Sequence, residues 1–176
     1  NSINNNISNR IRFSKSCVTG VHRTGFDLIV SNPPYIPSNQ LKNLDDTDWF
    51  LDKLYDFAPS LGITTIVPYY SRWVIDLNRE PNNKSLYSDG RIITSLCPTT
   101  NFLGEDIYRK DYSLNQYEIE DRLAHYFNPY HKKINELLKD LKSKFNQALF
   151  WDAHSIRRYV PTIHENPFPD LIIGDN

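Results

Sequence analysis

The spacing of apolar residues changes period several times along the chain, and each change predicts an element. Residues 10–16 set Ile11 and Phe13 against Arg10, Arg12 and Ser14, the two-residue period of a short strand. Residues 26–30, Phe-Asp-Leu-Ile-Val, predict a buried strand that Pro33 and Pro34 stop, because proline cannot extend a ladder. Trp49, Phe50, Leu54, Phe57 and Leu61 recur near helical spacing, with Asp45, Asp46 and Asp48 before them and Gly62 after. Carboxylates at the start and glycine past the end predict a helix over 49–61. The β-branched run 63–67 ahead of Pro68 predicts a second buried strand. Residues 76–106 carry Pro, Asn, Gly and Ser without a period, which predicts a long loop of the kind that serves a site. Over 117–145 the stripe Ile134, Leu137, Leu138 and Leu141 predicts a helix, kinked at Pro129. Residues 148–151 predict a last strand running into Asp152, Ala153 and His154. Strands alternating with helices imply a layered α/β fold with a mostly parallel sheet.

Composition narrows the partners. A chain of 176 residues supports one domain with a real core. With 20 basic and 21 acidic residues there is no positive field to recruit nucleic acid, and none is expected as a partner. No stretch of apolar residues is long enough to span a membrane. The Asn- and Ser-rich first residues lack the apolar core of a secretory signal, so the expected location is the cytoplasm. Cys17 and Cys97 fit no zinc or redox spacing and are expected as reduced thiols.

Three clusters carry candidate chemistry. His154 lies just past a strand end, where parallel sheets place ligands, and Asp152 sits two residues before it on the same pleat face. An imidazole with carboxylates from neighbouring strand ends suits zinc; the other reading of the same residues is a histidine hydrogen-bonded beneath a loop. Arg72, Asn78 and Arg79 surround a short apolar stretch predicted as a strand. Guanidinium groups there could fork onto a carboxylate, or the two arginines could be tied to Asp76. In Asp46-Thr47-Asp48, Asp46 or Thr47 could cap the helix that follows, which leaves room for a metal role at Asp48.

Taken together, several segments resemble one family. Asp46-Thr47-Asp48-Trp49, Tyr70-Ser71-Arg72, Val74-Ile75-Asp76-Leu77-Asn78-Arg79, Cys97-Pro98-Thr99-Thr100, Pro129-Tyr130-His131 and Leu149-Phe150-Trp151-Asp152-Ala153-His154-Ser155-Ile156-Arg157 occur in that order. The series, covering residues 45–176, resembles the N-formylglutamate amidohydrolases of histidine breakdown. The resemblance implies a zinc-carboxypeptidase-like α/β/α fold and hydrolysis of N-formyl-L-glutamate, a small acidic acyl-amino acid, to glutamate and formate. It implies His154 as a zinc ligand, with Asp48 as the acidic ligand and Asp46 as the alternative. It also implies Asn78 and Arg79 as the grip on the substrate carboxylate, with Arg72 in support. The family's Pro-His-x-Gly histidine has no counterpart in residues 31–37, which offer no imidazole. The general-base glutamate of the family is expected beyond Asn176, so the catalytic residue is left unassigned and the fold is expected to be incomplete. His125, His131 and His164 show no spacing that recruits them.

The front of the chain has a different likeness. Phe26-Asp27-Leu28-Ile29-Val30-Ser31-Asn32-Pro33-Pro34-Tyr35 resembles the Asn-Pro-Pro-Tyr region of release-factor glutamine methyltransferases. That likeness implies Asn32, Pro33 and Tyr35 as contacts for a glutamine amide, with S-adenosylmethionine as cofactor. The glycine-rich loop for that cofactor would lie upstream of Asn1. The two likenesses meet near residues 36–38, which predicts either a join of two segments, 1–40 and 41–176, or a divergent deformylase whose first strand imitates the other signature.

Overall fold

A computed structural model of the chain describes residues 11–14, 28–31, 41, 47–82 and 95–174. Four strands form one sheet: β1 (Ile11–Ser14), β2 (Leu28–Ser31), β3 (Thr64–Pro68) and β4 (Phe150–Ala153), in the order β1-β3-β2-β4. β2 runs parallel to both β3 and β4, while β1 pairs antiparallel with β3. The sheet is therefore mostly parallel, as expected. Val30 lies opposite both Ile66 and Asp152, so β2 aligns the carboxyl ends of three strands at one edge. In parallel α/β sheets ligands bind beyond that edge.

The long helical region folds as α2 (Gln116–Arg122), a wide π turn (Leu123–Phe127) and α3 (Asn128–Phe145). Asn115 caps it by accepting the Glu118 N–H at 3.0 Å. The kink expected at Pro129 takes the form of this π turn. Proline offers no N–H to the carbonyl one turn back and its ring crowds that carbonyl, so the preceding turn widens. Phe127, Tyr130, Ile134 and Leu141 pack on Ile66 of β3 together with Ile75, Leu77 and Leu96.

Residues 49–61 depart from the single helix that their spacing predicts. They form one α turn, α1 (Leu51–Leu54), and a 3₁₀ turn over Ala58–Leu61. Phe50 ahead of α1 is left-handed (φ 64°), and Pro59 sits in the first turn of the second piece. The apolar stripe itself is reversed: Trp49, Phe50, Leu54, Phe57 and Leu61 are exposed, while Leu51 and Ala58 are buried on Ala153 of β4. Trp151 Nε1 donates to the Tyr55 hydroxyl at 3.0 Å and ties the same piece to β4. Side chains alternate along a strand, so Trp151 and Ala153 face this piece while Asp152 faces the opposite side.

The apolar stretch after Arg72 is also not a strand. Residues 72–79 form turns, with Val74 N–H donating to the Ser71 carbonyl (2.9 Å) and Arg79 N–H to the Asp76 carbonyl (3.1 Å). Trp73, Val74, Ile75 and Leu77 are nonetheless buried, split between two clusters. A hydrophobic run that long without a ladder needs its carbonyls satisfied from elsewhere. Arg122 Nη1 donates to the Val74 carbonyl (2.6 Å) and His131 Nε2 to the Leu77 carbonyl (2.9 Å). The long loop expected over 76–106 is irregular where described, except for an isolated pairing of Thr100 with Asp106.

Candidate active site

His154 leaves β4 at the carboxyl edge and is contacted from three directions. Its Nδ1 lies 3.3 Å from Asp48 Oδ2, and its Nε2 lies 3.0 Å from Asp152 Oδ1 and 2.5 Å from the Asn78 side-chain amide. Asp152 reaches the ring because residues two apart on a strand share a face, as their spacing suggests. With Nε2 donating to Asp152, the Asn78 amide suits the ring with its oxygen turned inward, since an N–H is met by an acceptor.

Asp48 is buried and fixed from the other side. Its Oδ1 accepts the Ser155 N–H (2.5 Å) and the Ser155 hydroxyl (2.9 Å), which leaves Oδ2 to face the imidazole. Capping of the next helix by Thr47 is not what the structure shows: Phe50 occupies the cap position, and the Thr47 hydroxyl is buried without a hydrogen-bond partner. Asp46, the alternative acidic ligand, lies outside the described residues, as do Asn32, Pro33 and Tyr35.

The charges respond to this geometry. Burial by itself raises the Asp48 carboxyl, but the hydrogen bonds from His154 and Ser155 outweigh it and hold it below the ordinary 3.8. Burial by itself lowers the His154 imidazole, yet Asp152 and Asp48 win and push it up to about 10. Without a metal, the ring is thus a cation between two carboxylates at neutral pH. His131 moves the other way: burial lowers it more than the Leu77 carbonyl and Asp152 raise it, so it is a neutral donor beneath the site.

Asp48 and His154 present a carboxylate oxygen and a ring nitrogen 3.3 Å apart, two donor types that zinc takes, and Asp152 lies on the other ring nitrogen. Among the described residues no group of three or more histidines, cysteines or carboxylates could hold a metal by itself.

The arginines gather around Asp76. Arg72 Nη2 lies 2.7 Å from Asp76 Oδ2 and Arg79 Nε 3.4 Å from the same oxygen, while Asp76 Oδ1 accepts the Asn78 N–H at 3.1 Å. The Arg72 guanidinium is flanked by the faces of Trp73 and Phe102. Asn78 joins the two halves, since its backbone belongs to the Asp76 turn and its side chain touches His154. Sequence reasoning left Ser155 unassigned and gave His131 no role. No spacing signals either one, because each acts through a contact between distant parts of the chain, Ser155 with Asp48 and His131 with Leu77.

Comparison with known proteins adds to the geometry. A family model described as N-formylglutamate amidohydrolase matches residues 32–176. The N-formylglutamate deformylase of Pseudomonas aeruginosa is 44% identical over 137 residues, covering 78% of this chain and 51% of that protein. The N-formylglutamate deformylase of Pseudomonas putida is 38% identical over 135 residues, covering 77% of this chain and 50% of that protein. The chain thus spans about half the length of the curated relatives it matches. Among solved structures, N-formylglutamate amidohydrolase from Ralstonia eutropha superposes with a TM-score of 0.63 at 16% identity, covering 93% of this chain and 63% of the other. A gene product of Agrobacterium tumefaciens gives 0.53 at 18% identity, covering 84% of this chain and 57% of the other. Identities that low speak to the fold alone.

Proposed function

Since the chain belongs to the N-formylglutamate amidohydrolase family, we propose that it carries the ligand-binding part of a site that hydrolyses N-formyl-L-glutamate to L-glutamate and formate. The observation that carries this reading is the meeting of Asp48 and Asn78, 106 and 76 residues away in the chain, around the His154 imidazole. On this reading His154 Nδ1 and Asp48 Oδ2 are two donors to a zinc ion, within a zinc-carboxypeptidase-like layered fold. A bound zinc would polarise the formyl oxygen and lower the pKa of its water.

The chain's own residues have distinct tasks. Ser155 holds Asp48 by one oxygen, which would leave the other for a metal ion, and Asp152 fixes the plane of the imidazole. Arg72 and Arg79 take the substrate's carboxylate through planar N–H forks, and Asn78, adjoining both groups, aligns the amide with the metal. A role in histidine breakdown and a cytoplasmic location belong to the same proposal. So does a junction near residue 40 between a methyltransferase-like segment and residues 41–176. No helix among the described residues is long and apolar enough to cross a membrane.

Formate release from N-formylglutamate with added zinc tests the reading. Turnover lost in His154→Ala is expected; a wild-type rate no higher than that of the variant rejects it.

A further inference from the structure

We propose that His131 is a positioning residue: by donating to the Leu77 carbonyl it fixes the Leu77–Asn78 peptide plane, and so holds the Asn78 side chain on the His154 imidazole. Its effect on turnover rests on the deformylase reading. The inference goes beyond that reading because it gives a task to a histidine that the reading leaves idle.

A peptide group is planar, so fixing both of its polar ends fixes the direction in which the next residue leaves. The Leu77–Asn78 peptide is held in this way. Its carbonyl accepts from His131 Nε2 at 2.9 Å, and its N–H donates to Asp76 Oδ1 at 3.1 Å. Both anchors are themselves fixed. The Asp76 side chain is buried, and its own N–H donates to the Leu96 carbonyl at 2.7 Å. His131 stands in the first turn of α3, its ring against Phe127 (4.2 Å between centroids) and edge-on to Tyr130 (5.1 Å). Leu77 packs in the same apolar cluster as Phe127 and Tyr130, so the turn and the helix move together.

Asn78 itself is exposed, so little packing holds its side chain and its direction must come from the backbone. Its amide nonetheless meets His154 Nε2 at 2.5 Å. The other partner of that ring nitrogen is Asp152, whose charge raises both Tyr130 and His131 and therefore lies near the same helix turn. One turn of α3 thus adjoins both groups that meet His154 Nε2.

A bond that only satisfied a buried carbonyl would affect stability and leave the His154 ring as it is. The full chain, labelled with 15N and free of metal, is compared with His131→Leu, His131→Gln and Asn78→Ala by NMR. Leucine offers no donor, whereas the glutamine amide nitrogen reaches about as far as Nε2. A cross-relaxation contact between the Asn78 side-chain amide and the His154 ring is expected in the wild type, lost in His131→Leu and kept in His131→Gln. The His154 Nε2 resonance should shift in His131→Leu in the same direction as in Asn78→Ala, and the double variant should shift it no further than Asn78→Ala alone. In an active chain kcat should fall about tenfold in His131→Leu and stay within about threefold of wild type in His131→Gln.

A contact absent from the wild type, one that survives in His131→Leu, or one lost equally in His131→Gln overturns the proposal. So do additive shifts in the double variant, or equal rates in the leucine and glutamine variants. Should His131→Leu not melt cooperatively, His131→Asn takes its place, because its amide ends short of the Leu77 carbonyl. If the wild-type chain releases no formate, the deformylase reading fails by itself. The resonance comparison needs neither substrate nor metal and still decides whether His131 places Asn78.

Discussion

Replacing Arg122 by methionine removes a charge that is 3% exposed and joins α2 to the turn carrying Asp76 and Asn78. Its Nη1 donates to the Val74 carbonyl at 2.6 Å and to the Tyr108 hydroxyl at 2.9 Å, and its Nη2 lies 2.5 Å from Glu118. Burial alone would disfavour the charge, but Tyr108 and Glu118 outweigh it and keep the guanidinium protonated. Methionine keeps part of the aliphatic stem but leaves the Val74 carbonyl without its donor. Glu118 keeps the Tyr112 hydroxyl as a partner. Hydrogen bonds to a charged group contribute about 1.5–3 kcal/mol each, and breaking one side of a buried pair costs about 3–5 kcal/mol. Because Glu118 is partly exposed and keeps a partner, a net loss of about 3–4 kcal/mol is expected. For a chain of this length that lowers Tm by roughly 6–16 °C, at about 2–4 °C per kcal/mol. Urea and thermal melts followed by circular dichroism, on Arg122→Met, Glu118→Gln and the double variant, measure it. A loss under about 1 kcal/mol for Arg122→Met would show that the network does not hold the turn.

Other expectations follow from the same geometry. His154 is raised to about 10, so in the metal-free protein its ion pairs stabilise fully below its ordinary 6.5 and fade as pH rises through about 10. Asp48 is lowered, so its contribution is present above 3.8 and is lost as pH falls further. Metal-free melts should therefore weaken from pH 6.5 toward 10; a Tm that rises across that window contradicts the assignment. On the proposed zinc reading, the metal would have to displace the proton from His154, so its apparent affinity should climb by about tenfold per pH unit between pH 6 and 9. Chelator-competition titrations that give a flat profile, or Asp48→Ala binding as tightly as wild type, would count against that pair as ligands. Phe50 is left-handed at φ 64° and 64% exposed, so Phe50→Gly should stabilise by roughly 0.5 kcal/mol despite losing the Lys53 contact. A lower denaturation midpoint for that variant would refute the strain argument.

Local chemistry by itself determined the elements whose signal does not depend on the rest of the chain. The β-branched run of β3, the helical region running from α2 through α3 and the strand leading into His154 all stand within two residues of where their patterns place them. Side-chain period is a property of a few consecutive residues, and in these segments the surrounding packing agrees with it. The residue types of the site were legible too, because Asp48, Asn78, Arg79 and His154 stand in recognisable segments.

Tertiary structure decided the rest. Whether residues 49–61 were one helix depended on Phe50, left-handed ahead of α1, and on Ala153 of β4, which buries Leu51 and Ala58 in place of the larger apolar residues. The stretch 73–77 is buried without a ladder because Arg122 and His131, far along the chain, bind its carbonyls. Distance along the sequence likewise hid the contact of Ser155 with Asp48 and that of Asn78 with His154. An ion pair or a hydrogen bond between residues about a hundred positions apart has no period, and only the folded chain brings such groups within reach.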